Sequence, residues 1–124
     1  MIDFTNGVLF KLKPEDIKVS SALIAPMLIE GEEPFAAFTA LRDKVFFTNK
    51  RIIAINVQGI TGTKKDFTSL PYSKVQAFSV ETAGVLDLDC ELDLWFTGLG
   101  QVLFEVKGNV DIVAFNRYIG KYVL

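Results

Sequence analysis

The sequence predicts a mainly β domain: seven antiparallel strands, an amphipathic helix after them, and a helical extension in front. Three observations carry this. From Pro34 onward, apolar runs of strand length alternate with short connections, whereas a parallel crossover needs about a dozen residues. The stretch "LDLDCELDLWF", Leu86–Phe96, alternates apolar and acidic residues with the period of a strand. After Gly108 the apolar spacing becomes that of a helix.

The N-terminal segment reads as helix. Pro14 suits a first helical position, and Glu15 and Asp16 suit the positive end of a helix dipole. Ile17, Ile24 and Leu28 recur at i, i+7 and i+11, on one helical face. Pro26 removes a backbone donor and kinks or ends the helix, and Gly31 closes the segment. Residues 1–31 are accordingly read as the extension and 32–124 as the main domain, with strands over about 34–107.

Seven runs follow: Phe35–Leu41, Val45–Phe47, Arg51–Val57, Lys65–Leu70, Lys74–Glu81, Leu86–Phe96 and Val102–Val106. They are rich in Phe, Ile, Val and Leu, and turn residues separate them. "RIIAINV" is apolar on both faces, so it should be covered on both. In the acidic-apolar run, Leu86, Leu88, Cys90, Leu92, Leu94 and Phe96 should point to a dry side. Asp87, Asp89, Glu91, Asp93 and Trp95 should face water. Alternation breaks between Ala77 and Phe78, which suggests a bulge. "TNKR" reads as a hairpin turn with Asn49 left-handed, and Gly59 and Gly62 supply positive φ to the next hairpin.

The last helix is expected over about 110–123, capped by Asn109 or Asp111. Ile112, Phe115, Tyr118, Ile119, Tyr122 and Val123 span an arc of roughly 140°, wide enough to plug a sheet. Val113 and Leu124 fall outside that arc beside Gly120, and Arg117 and Lys121 occupy the remaining side.

Composition bounds the chemistry. At 124 residues the chain is one domain by length, and such a chain buries roughly two-thirds of its unfolded surface without needing a metal or disulfide. Half of it is apolar and eleven residues are Phe. Thirteen basic against fifteen acidic residues give a net charge of −2, which argues against broad attraction to nucleic acid or anionic membrane. The single Cys90 excludes an intrachain disulfide and fits a reducing compartment. "MIDFTNGVLF" lacks the basic start of a signal peptide, and the apolar run Ala22–Ile29 is far shorter than the roughly 20 residues of a membrane span. A soluble, cytoplasmic protein is expected.

Three stretches sharpen the fold: "VFFTNKRIIAI", "QGITGTKKDFTSLPYSKVQAFSVETAG" and "LDLDCELDLWF". With the order of seven strands and a helix, they resemble the bacterial pleckstrin-homology (PH) domain family. The resemblance covers about Pro34 to Leu124, with the helical segment as a prefix. It implies a bent, nearly orthogonal seven-stranded β-sandwich, or partly open barrel, closed at one end by the helix. It also implies ring-forming homo-oligomers rather than lipid readers, with the last helix helping to build the ring. The family's biochemical role is largely unassigned.

Candidate sites are few. PH domains that read phosphoinositides line a long first loop with Lys and Arg. Here that connection holds only Arg42, Asp43 and Lys44, which argues against membrane or phosphoinositide binding. Lys50, Arg51, Lys64 and Lys65 are read chiefly as turn and edge charges, with weak contact to an anion or lipid headgroup as the alternative. Gly59-Ile60-Thr61-Gly62 and Gly62-Thr63-Lys64 lack the helices that RNA-binding and P-loop motifs require, so no nucleic-acid partner is expected. The acidic row lies along a line at ~6.5 Å spacing, a poor cage for one cation, and is read as a solvated face paired with lysines across the strands. Trp95 is read as covering a neighbouring strand or the N-terminal helix, with a contact role as the alternative.

The chain has no histidine, and Cys90 sits in the apolar row, so Ser–His and Cys–His nucleophiles are ruled out. No enzyme activity, cofactor or metal is expected. The function read from the sequence is a non-catalytic, homo-oligomeric interaction module with an unidentified protein partner. Its subunit contacts are placed at Val113, Arg117, Gly120 and Leu124, and at Ile24 and Leu28 of the extension.

Overall fold

The "RIIAINV" run becomes a central strand whose residues Ile52 to Ile55 are all buried. The computed structural model describes residues 1–4, 10–86, 88–108 and 110–124. The chain divides into two compact units: Met1–Ile2 with Pro14–Pro71, and Asp3–Lys13 with Tyr72–Leu124.

The first unit is an antiparallel meander of β2 (Pro34–Ala40), β3 (Asp43–Thr48), β4 (Arg51–Gln58) and β5 (Lys64–Pro71). It follows β1 (Phe10–Glu15) and α1 (Ile17–Ser20) in the chain. One face of the meander carries Ala37, Phe46, Ile53 and Ile55, and the N-terminal segment covers it through the fully buried Ile24, with Ile17, Leu23 and Leu28 around it. The opposite face carries Phe38, Val45, Phe47, Ile52, Ala54 and Leu70, also buried, so both faces of β4 are dry as expected. Phe38 and Phe47 meet edge to face at 5.7 Å between ring centroids, a favoured arrangement for aromatic quadrupoles.

The N-terminal helix is much shorter than its apolar spacing predicts. Pro14 and Glu15 end β1, and the α-helix starts only at Ile17. Asp16 is its cap rather than a first-turn residue, the carboxylate accepting from the Lys18 amide at 3.0 Å. The chain then tightens into two 3-10 turns, Ser21–Leu23 and Ala25–Met27, with Pro26 early in the second. Proline fits both a strand end and a helix start, so Pro14 alone could not place the boundary.

Turn chemistry also departs from expectation in detail. Gly59 and Gly62 do adopt positive φ, but Asn49 does not. Its side chain instead staples the turn, accepting from the Glu33 amide at 2.8 Å and donating to the Gly31 carbonyl at 2.9 Å. The left-handed residue is Leu41, at φ 53° in the tight turn between Ala40 and Asp43.

In the second unit β6 (Val75–Glu81), β7 (Cys90–Phe96) and β8 (Gly100–Val106) pair antiparallel, and the start of β1 adds to β8 in parallel. That parallel strand is absent from the sequence reading, which absorbed Pro14 and Glu15 into the helix. The sheet is open, and α2 (Ile112–Val123) packs on β6 and on the turn Tyr72–Lys74. Cys90, Leu92, Leu94 and Phe96 are buried, whereas Trp95 is half exposed.

The alternation fails at the start of the acidic-apolar run. Leu86 and Leu88 are exposed, because β6 pairs with β7 only as far as Glu81–Glu91 and β8 only as far as Val106–Cys90. With no partner strand there is no dry side to face. Asp87 lies outside the described residues. The bulge in β6 falls between Val75 and Ala77, slightly before the position read from the pattern.

Asp111 caps α2, accepting from the Ala114 amide at 3.1 Å, and the alternative cap Asn109 lies outside the described residues. Ile112, Phe115 and Ile119 are buried and Tyr122 stacks on Tyr72 at 5.9 Å, but Tyr118 stands half exposed rather than in the plug. No described helix is long and apolar enough to cross a membrane.

Candidate functional site

The four cations of the alternative reading do not form one site. Arg51 pairs with Pro71 at one end of the β4–β5 hairpin and Lys64 with Gln58 at the other, which is roughly 20 Å of strand. Arg51 is also fully engaged. Its Nε donates to Glu32 Oε2 and its Nη2 to Glu32 Oε1, both at 2.9 Å. The same guanidinium donates to the Met27 carbonyl at 2.9 Å and to Ser69 Oγ at 2.8 Å.

Glu32 explains why that pair is structural. Its side chain is completely buried, and burial alone would push its carboxyl pKa up. Hydrogen bonds from Arg51, from the Thr48 hydroxyl at 2.7 Å and from the Ile29 amide at 3.1 Å reverse this and hold it below the usual value. Arg51 thus ties the N-terminal segment to β4. Lys50, Lys64 and Lys65 remain exposed.

The register on the wet face of β7 brings acids together. No lysine stands directly opposite its acids: Glu91 lies between Glu81 of β6 and Glu105 of β8, and Asp93 between Ser79 and Leu103. Like charges opposite one another on a sheet are unfavourable. Asp93 Oδ2 accepts from Gln101 Nε2 at 2.8 Å, while Lys11 of β1 stands across from Glu105. Among the described residues, no three His, Cys, Asp or Glu side chains gather as metal ligands.

Cys90 is a buried free thiol. It should stay unmodified by a maleimide in the native protein and react once denaturant unfolds it; fast native labelling would contradict its placement.

The outward side of α2 carries exposed apolar side chains. Val113 is 62% exposed and Leu124 97%, on roughly the opposite side from Ile112, Phe115 and Ile119. Beside them Ala114, Arg117, Tyr118 and Lys121 line a shallow hollow of about 420 Å³. Of the remaining residues assigned to a subunit contact, Gly120 is half buried, and a Cβ there would lie 3.9 Å from Phe78 of β6. Ile24 lies inside the first unit's core and offers no surface, and Leu28 is partly buried against the same core.

The order of strands and the packed C-terminal helix are those of a PH-like fold, and a family model for the bacterial PH domain matches residues 3–123. The chain belongs to the bacterial PH domain family. The match takes in the N-terminal segment as well as the strands. A crystal structure of a protein with a PH domain from Shewanella loihica PV-4 superposes with a TM-score of 0.79 at 34% identity, covering 93% of this chain and 99% of that one. A PH domain from Shewanella amazonensis SB2B gives 0.65 at 39% identity, covering 89% and 90%. The uncharacterized protein YjqA of Bacillus subtilis (strain 168) is 44% identical over 95 residues, 77% of this chain and 76% of the relative.

Proposed function

We propose that this bacterial PH domain protein is a non-catalytic, self-associating interaction module whose copies meet on the outward face of α2. The observation that carries this reading is the pair Val113 and Leu124, two exposed aliphatic side chains on the side of α2 turned away from its own core. Burying both against another copy removes apolar area from water at about 25 cal/mol per Å². Arg117, Tyr118 and Lys121 flank the strip with groups able to make directional polar contacts. The absence of histidine supports the non-catalytic part, since the commonest general base is missing.

A charge placed in the strip tests the reading. Val113→Glu should reduce the light-scattering mass to that of a single chain while far-UV circular dichroism stays unchanged. An assembly that persists in a folded V113E protein would place the contact elsewhere.

A further inference from the structure

Two ion pairs pin the N-terminal segment to the meander, one at each end. Glu15, the last residue of β1, takes Lys44 Nζ of β3 on both carboxylate oxygens, at 2.6 and 2.7 Å. Glu32 takes the Arg51 guanidinium of β4 on both of its own. Between these pairs, residues 16–31 form a four-residue helix and two 3-10 turns. Turns this short have little helical stability of their own, so the segment keeps its shape only while it is held in place. Its middle is anchored by one fully buried side chain. Ile24 packs with Ala37, Phe46, Ile53 and Ile55, while Ile17, Leu23 and Leu28 around it are only partly buried.

The meander beneath is held differently. Antiparallel backbone ladders join its four strands, and ladders do not titrate. Asp43 accepts from Asn56 and from the Val57 amide, but it does so beside the β3–β4 ladder, which backs it. The carboxylates of the segment have no such backing. Burial alone would raise the Glu15 pKa, but the hydrogen bond from Lys44 outweighs it and holds the group below its ordinary 4.5, as Arg51 does for Glu32. The charged neighbours along the chain, Lys13, Asp16, Lys18, Glu30, Glu33 and Lys50, are exposed to water. A carboxylate whose pKa is lowered by folding stabilises the folded form above its ordinary value. That stabilisation is lost as pH falls through the lowered value.

We infer that residues 16–31 form an acid-released strap, freed from the meander when Glu15 and Glu32 take up protons while the strands stay paired. Its release uncovers Ala37, Phe46, Ile53 and Ile55, an apolar face kept dry at neutral pH. The device does not depend on self-association, because the strap and both ion pairs lie within the first unit.

Hydrogen–deuterium exchange on the full chain, read by peptide mass spectrometry and corrected for the intrinsic pH dependence of exchange, tests it. From neutral pH to about pH 3.5, protection across residues 17–31 should fall by roughly tenfold or more. Residues 51–57, in the central strand β4, should keep theirs. The double variant Glu15→Gln/Glu32→Gln removes both charges and keeps both side-chain shapes. It should show the low protection of 17–31 already at neutral pH. Loss of protection at 17–31 and 51–57 together would mean a single acid unfolding and no strap. Protection of 17–31 unchanged by acid, or equal in the variant and its parent at neutral pH, would equally overturn the assignment. Should the double variant fail to fold, exchange in the unaltered protein decides alone.

Discussion

Replacing Arg51 by Met should lower the free energy of unfolding by about 3 kcal/mol at neutral pH. The substitution keeps a long apolar stem but leaves the buried Glu32 carboxylate without its guanidinium, holding only the Thr48 hydroxyl and the Ile29 amide. Removing one partner of a buried pair costs more than the pair is worth, because the remaining charge is stranded. The double variant Glu32→Gln/Arg51→Met should therefore be more stable than R51M alone. Acid sharpens the expectation. The Glu32 pKa is depressed below its ordinary 4.5 in the folded protein, so its stabilisation is present above pH 4.5 and is lost as pH falls through the depressed value. In R51M the depression is relieved or reversed, so the gap between variant and parent should narrow under acid. Changing exposed Lys50, Lys64 and Lys65 to Ser should alter stability by no more than about 0.5 kcal/mol. Denaturant titrations at neutral and acidic pH measure all of these; an R51M protein as stable as its parent would remove Arg51 from the fold's support.

Ile119→Ala should cost about 3 kcal/mol, within the range for truncating a buried aliphatic side chain. Ile119 is completely buried, on the face α2 turns inward. Phe115 and Ile112 flank it on the same face, and the Tyr72–Tyr122 stack holds the last turn. Little can slide into the vacated space, so the cavity persists and adds to the transfer cost. The contrast with Val113→Glu is the informative part. One change on the inward face should lower stability, and one on the outward face should abolish assembly at unchanged stability. A V113E protein destabilised as much as I119A would mean that the two faces are not separate.

The strands were legible because their apolar runs are long and their turns short. Arg51–Gln58 and Gly100–Val106 lie close to the ranges the pattern implies. The N-terminal strand was not legible, since Pro14, Glu15 and Asp16 suit a helix start as well as a strand followed by a cap. Leu86 and Leu88 show the limit of periodicity: alternation describes a dry side only where a neighbouring strand creates one. The role of Arg51 could not be read from a cationic turn, because its partner Glu32 lies nineteen positions earlier in a stretch without a motif. Trp95 and Asp93 were visible as residues of one wet face. Ala77 and Ser79 stand across from them in β6, a pairing that only the register reveals. Conversely, Val113 and Leu124 were legible from helical angle alone, because a helix exposes its spare face wherever its neighbours pack.

Sedimentation velocity on the purified, unaltered protein across a micromolar concentration series tests self-association most directly. A species heavier than one chain, persisting on dilution through that range, is the expected result. A boundary that stays at the mass of one chain throughout would contradict it.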